Sequence, residues 1–183
     1  MTTRSEEDET AHAEQATAHA WVEAQILIAL AGRCATRRAR RPDGEGWVRT
    51  WSDFELLCIH EAGHVVAAAA VGFSPKWVIV GKPERVPGGT LFRGRASASD
   101  SDNPDSEQPS LADVPGETDF QRVTALCRVM CPGGGWLGYA RGLWRACDTL
   151  LSDRWRAVRI LAIELGDKGV VRQADIEDVL QRF

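Results

Sequence analysis

At 183 residues the chain is about one domain's worth, enough to build a single core. Its 44% hydrophobic and 26% charged content and its formal net charge of −4 are ordinary for a globular protein, and the mild acidity argues against nucleic acid as a partner. The most apolar run, Ile26 to Ala31, is far short of the roughly 20 residues needed to cross a bilayer, so no membrane partner is expected.

The first twenty residues are polar and carry Glu6, Glu7, Asp8 and Glu9, the reverse of a signal peptide's basic start and apolar middle. The expectation is a soluble, cytoplasmic protein that begins with a disordered polar tail. Val22, Ile26, Ala29, Leu30 and Arg33 then fall at helical spacing. Arginines 33, 37, 38, 40, 41 and 49 crowd the end of that segment, and Pro42-Asp43-Gly44-Glu45-Gly46 breaks it. Residues 1–49 therefore read as a tail, an amphipathic helix and an Arg-rich linker, a solvated charged face being the plain reading of the arginines. Cys34, Cys58, Cys127, Cys131 and Cys147 are odd in number and irregularly spaced, as reduced core thiols are.

Ser52 with Glu55 makes a capping box, and a helix is expected from Phe54 to Val71 with Gly72 as its stop. Gly63 costs about 1 kcal/mol relative to Ala inside such a helix, so close approach of another backbone is anticipated there. KWVIV, residues 76–80, reads as a strand that bends through Pro83, Pro87, Gly88 and Gly89 and returns over Thr90 to Phe92 as a hairpin. Seven acids and no Lys or Arg lie in residues 100–119, and 97–118 is expected to be a flexible acidic insert. Helices follow over Asp119 to Met130, Trp136 to Trp144, from a Ser152 cap onward through Trp155, Val158, Leu161, Ala162 and Leu165, and over Ala174 to Arg182. The fold class is thus mainly α, with a small β-hairpin beside the central helix.

Residues 60–64 read HEAGH. Four helical residues turn through slightly more than one revolution, so His60 and His64 lie about 40° apart on one face and can share one metal ion. Glu61 lies about 100° around the helix from His60, beside the metal, where it can act as general base on a zinc-bound water. A catalytic zinc keeps three protein ligands and one open position. A third histidine six residues beyond His64 is excluded, because position 70 is Ala. Asp153, Asp148 and Glu164 stay open as the third ligand, Asp153 being favoured by its place at a helix start, where a carboxylate also suits the helix dipole.

Residues 50–183 resemble the peptidase domain of the FtsH family of zinc proteases. The resemblance rests on HEAGH, on SPKWVIVGKPERVPGGTLF, on LCRVMCPGGGWLGYA, on SDRWRAVRIL and on GVVRQADIEDVL. It implies a zinc metalloendopeptidase with His60, His64 and Asp153 as ligands, Glu61 as catalytic base and unfolded or flexible polypeptides or small peptides as substrates. No G-x-x-x-x-G-K-[ST] phosphate loop occurs, so any ATPase would be a separate partner, and homo-oligomerisation is equally open. The alternative is a non-proteolytic, zinc-containing interaction or regulatory module.

Overall fold

The computed structural model describes residues 4–41, 51–81, 84–86, 89–91, 94–98 and 118–183. The chain order is α1 (Arg4–Ala39), α2 (Asp53–Ala70), β1 (Pro75–Val80), β2 (Glu84–Val86), β3 (Gly89–Leu91), β4 (Gly94–Ala98), α3 (Asp119–Met130), α4 (Trp136–Asp153), α5 (Trp155–Lys168), β5 (Val170–Arg172) and α6 (Gln173–Gln181). The fold is mainly helical, as its periodicity predicts.

The first correction lies at the N-terminus, where α1 already begins at Arg4 instead of following a disordered tail. Residues 4–20 contain five alanines and neither Gly nor Pro, and their acids lie toward the helix's positive end, so polarity is no obstacle to a helix. Residues 13–20 are exposed, whereas Ile26, Ala31, Cys34 and Ala35 are buried in the core. That core is continuous with Ile59, Val66, Leu161 and Leu165, so α1 is built into the same unit as the rest of the chain.

α2 begins as expected, with both halves of the Ser52–Glu55 capping box formed. It ends in a Schellman pair: Phe73 donates to the Ala68 carbonyl at 3.0 Å and Gly72 to Ala69 at 3.2 Å. Gly72 has a φ of 93°, the left-handed backbone that this ending needs. α1 and α2 are antiparallel, since contacts pair Ile28 with His64, Ala31 with Gly63 and Trp51 with Ala39. A Cβ on Gly63 would stand 2.8 Å from both the Ala31 carbonyl oxygen and Ala35 Cβ, which is the close backbone approach anticipated for it.

β1 is the middle of a three-stranded antiparallel sheet, flanked by β4 and β5, with Val78 opposite Ala96 on one side and Val171 on the other. Val78, Val80 and Val171 turn inward and are buried. The expected hairpin between residues 76–80 and 90–92 is therefore corrected: Thr90 belongs to β3, which pairs with β2 in a separate ribbon. Pro83, Pro87, Gly88, Phe92, the acidic insert except for its first two residues and Thr118, and the 42–46 break lie outside the described residues.

α3 occupies the expected residues, but α4 runs to Asp153 instead of stopping near Trp144. Cys147 and Leu151, one turn apart, are fully buried and carry the apolar face through this extra length. Ser152 and Asp153 accordingly form the last turn of α4, and no side chain caps α5. Among the described residues no helix is long and apolar enough to cross a membrane.

Candidate metal centre

His60 and His64 project from one face of α2 with ring centroids 4.7 Å apart and planes at 79°. The carboxylate that meets them is Asp119. Its Oδ2 is 3.1 Å from His60 Nε2 and 3.3 Å from His64 Nε2, and the ligand atoms of all three residues lie within 4.8 Å of one another. Ligand atoms held about 2.0–2.1 Å from a tetrahedral ion stand roughly 3.3 Å apart, so both measured edges already have the size of a metal polyhedron. Two neutral imidazole lone pairs facing one carboxylate oxygen would repel it. A neutral His60 can relieve this by carrying its proton on Nε2, but His64, whose Nδ1 proton goes to the Ile28 carbonyl, needs either a second proton or a metal ion on Nε2.

Local sequence explains why Asp119 arrives there. Thr118 and Gln121 form a second capping box that starts α3 at Asp119. Val123, Leu126 and Cys127, at i+4, i+7 and i+8 from Asp119, are buried on the same face of that helix, so the packing that seats α3 also turns Asp119 inward. Arg33 of α1 lies over the neighbouring Phe120 ring, 5.4 Å from its centroid, and ties the start of α3 to α1. His64 donates from Nδ1 to the Ile28 carbonyl at 2.7 Å. That bond fixes its tautomer and leaves Nε2 free to ligate.

The electrostatics follow from the geometry. Burial opposes the charge on Asp119, but hydrogen bonds from His60 and His64 outweigh it and hold the carboxyl well below the usual carboxylate range. Burial likewise opposes a charged His64 ring, and the bond to Asp119 prevails and raises its pKa. For Glu61 burial is the largest influence and raises the carboxyl pKa, with the His64 and His60 charges partly offsetting it. Glu61 is only 6% exposed and is not a member of the converging group.

The carboxylate brought to the two histidines is Asp119, and not the Asp153 expected as third ligand. Asp153 is exposed at the C-terminal end of α4 and lies outside the converging group. The other candidates have partners elsewhere: Asp148 meets Arg41 at 3.5 Å, and Glu164 meets Lys168 at 3.1 Å. His19 is exposed on α1, as its polar surroundings suggest. The signal that would have exposed Asp119 is the T-D-F-Q capping box, which fixes an aspartate in the first turn of α3; a dipole-stabilising role explains the same pattern.

Comparison with known proteins adds no relative: the chain matches no family model, no curated protein and no solved structure.

Proposed function

We propose that the chain is a single-zinc hydrolase that cleaves peptide bonds in flexible polypeptides or small peptides. One observation carries this reading: a buried Glu61 stands next in sequence to His60 and beside the set of His60, His64 and Asp119, whose two edges to the carboxylate are 3.1 and 3.3 Å. Two neutral imidazoles and one carboxylate form a donor set of the kind found in catalytic zinc sites, which keep a fourth position open. Zinc held there would acidify a water and polarise the scissile carbonyl.

The chain's own residues have separate duties. His60, His64 and Asp119 hold the ion, and the Ile28 carbonyl holds the His64 ring. Glu61 takes the proton from the attacking water and passes it to the leaving amine. Its burial suits this role, because bulk water is kept from competing for the proton it carries. An interaction module with a purely structural ion would gain nothing from a buried acid at this place. The resemblance to the FtsH peptidase domain supports the same chemistry through HEAGH and the strand after it, although Asp119 is not the aspartate that the resemblance implies.

The test is zinc-dependent cleavage of an unstructured peptide library. Activity should disappear with a chelator and return with one equivalent of zinc. A zinc-loaded protein that cleaves no peptide would favour the interaction module.

A further inference from the structure

A second glycine at the α1–α2 crossing faces the metal centre itself. A Cβ built on Gly32 would stand 2.5 Å from His60 Nε2 and 2.6 Å from both Cδ2 and Cε1. A carbon in line with the Nε2 lone pair would be much closer to the nitrogen than to its two carbon neighbours. The near-equal distances place it over the face of the ring instead. The bare backbone of Gly32 thus supports the imidazole from one face and leaves its Nε2 edge open toward Asp119. Gly32 lies one helical turn after Ile28, whose carbonyl accepts from the other histidine. One turn of α1 therefore touches both rings of one turn of α2.

We propose that Gly32 is a positioning residue of the metal centre, its missing side chain setting the plane in which His60 can ligate. The proposal rests on the metal-centre reading above. It also accounts for a helical glycine that costs about 1 kcal/mol relative to Ala. A methyl at position 32 forces the His60 ring to tilt or shift, and either movement takes Nε2 out of the ligand polyhedron. Gly63 supplies the matched control, because a methyl there meets the Ala31 carbonyl oxygen and Ala35 Cβ at 2.8 Å, whereas the nearest atoms to one on Gly32 all belong to the His60 ring.

The experiment compares Gly32→Ala with Gly63→Ala by cobalt titration, reading both affinity and the visible d–d bands of the bound ion. Gly32→Ala should weaken cobalt binding ten- to hundredfold and change the band pattern. Gly63→Ala should lower thermal stability while leaving affinity within threefold of wild type. Equal affinity losses in the two variants, or none in Gly32→Ala, would overturn the proposal. A wild-type protein that binds no cobalt would instead overturn the metal-centre reading on which it stands. Should Gly32→Ala fold poorly, a thermal-stability cycle with His60→Ala decides the matter. Deleting the ring should recover most of the stability lost at Gly32 and none lost at Gly63, and strict additivity at Gly32 would refute the contact.

Discussion

Asp119→Asn keeps the size of the side chain and one of its oxygens but removes the negative charge that faces two imidazoles at 3.1 and 3.3 Å. Four-ligand structural zinc sites are worth about 10–16 kcal/mol, or roughly 2.5–4 kcal/mol per ligand. At about 1.4 kcal/mol per tenfold, the exchange should weaken zinc binding roughly a hundred- to thousandfold. The helix itself should survive, since Thr118 and Gln121 still cap it, and the lost dipole interaction is worth only about 0.3–1 kcal/mol. Competition with a chromophoric chelator gives the affinity, and far-ultraviolet circular dichroism reports the helix. Asp153→Asn and Asp148→Asn serve as parallel controls expected to stay within threefold of wild type, the first because Asp153 is exposed, the second because Asp148 pairs with Arg41. Metal loss in Asp153→Asn with none in Asp119→Asn would refute the assignment.

Leu161 is fully buried where α5 meets the core, so Leu161→Ala should cost about 2–5 kcal/mol, a fall in Tm on the order of 10 °C by calorimetry. A shift near zero would mean that this part of the core is not packed as described. Thiol titration of the native protein at pH 8 should count one fast-reacting cysteine, Cys131, because the other four are buried and burial pushes the Cys58 thiol up to about 11. Five fast thiols in the folded protein would contradict that burial.

Local signals in the sequence match the structure where the physics is itself local. The Ser52–Glu55 box, the Gly72 stop and the i, i+4 histidines all act within two turns of helix, and each stands in the structure as expected. Gly63 was also legible, because a glycine inside an apolar helix costs stability and calls for a reason. What escaped depends on long-range packing. No local feature distinguishes Asp119 from Asp153 as a ligand, since both fall beside a Ser or Thr with cap character. Only the path of α3, secured by Val123, Leu126 and Cys127, brings Asp119 to α2. The α4 boundary is hidden for a similar reason, because Ser152 looks like a cap in sequence while the burial of Leu151 carries the helix past it. The arginines at the end of α1 read as a solvated face, yet Arg37 and Arg38 lie over the Trp144 and Trp155 rings at 5.9 and 5.6 Å. Charge alone gives no sign of such aromatic partners.

The central claim is that Glu61 acts as base beside a metal ion and is not one of its ligands. Glu61→Gln tests it most directly, with zinc content and peptide cleavage measured on the same preparation. The account predicts about one zinc per chain in both proteins and cleavage reduced at least a hundredfold in the variant. Cleavage at the wild-type rate in Glu61→Gln, or zinc lost together with activity, would contradict it.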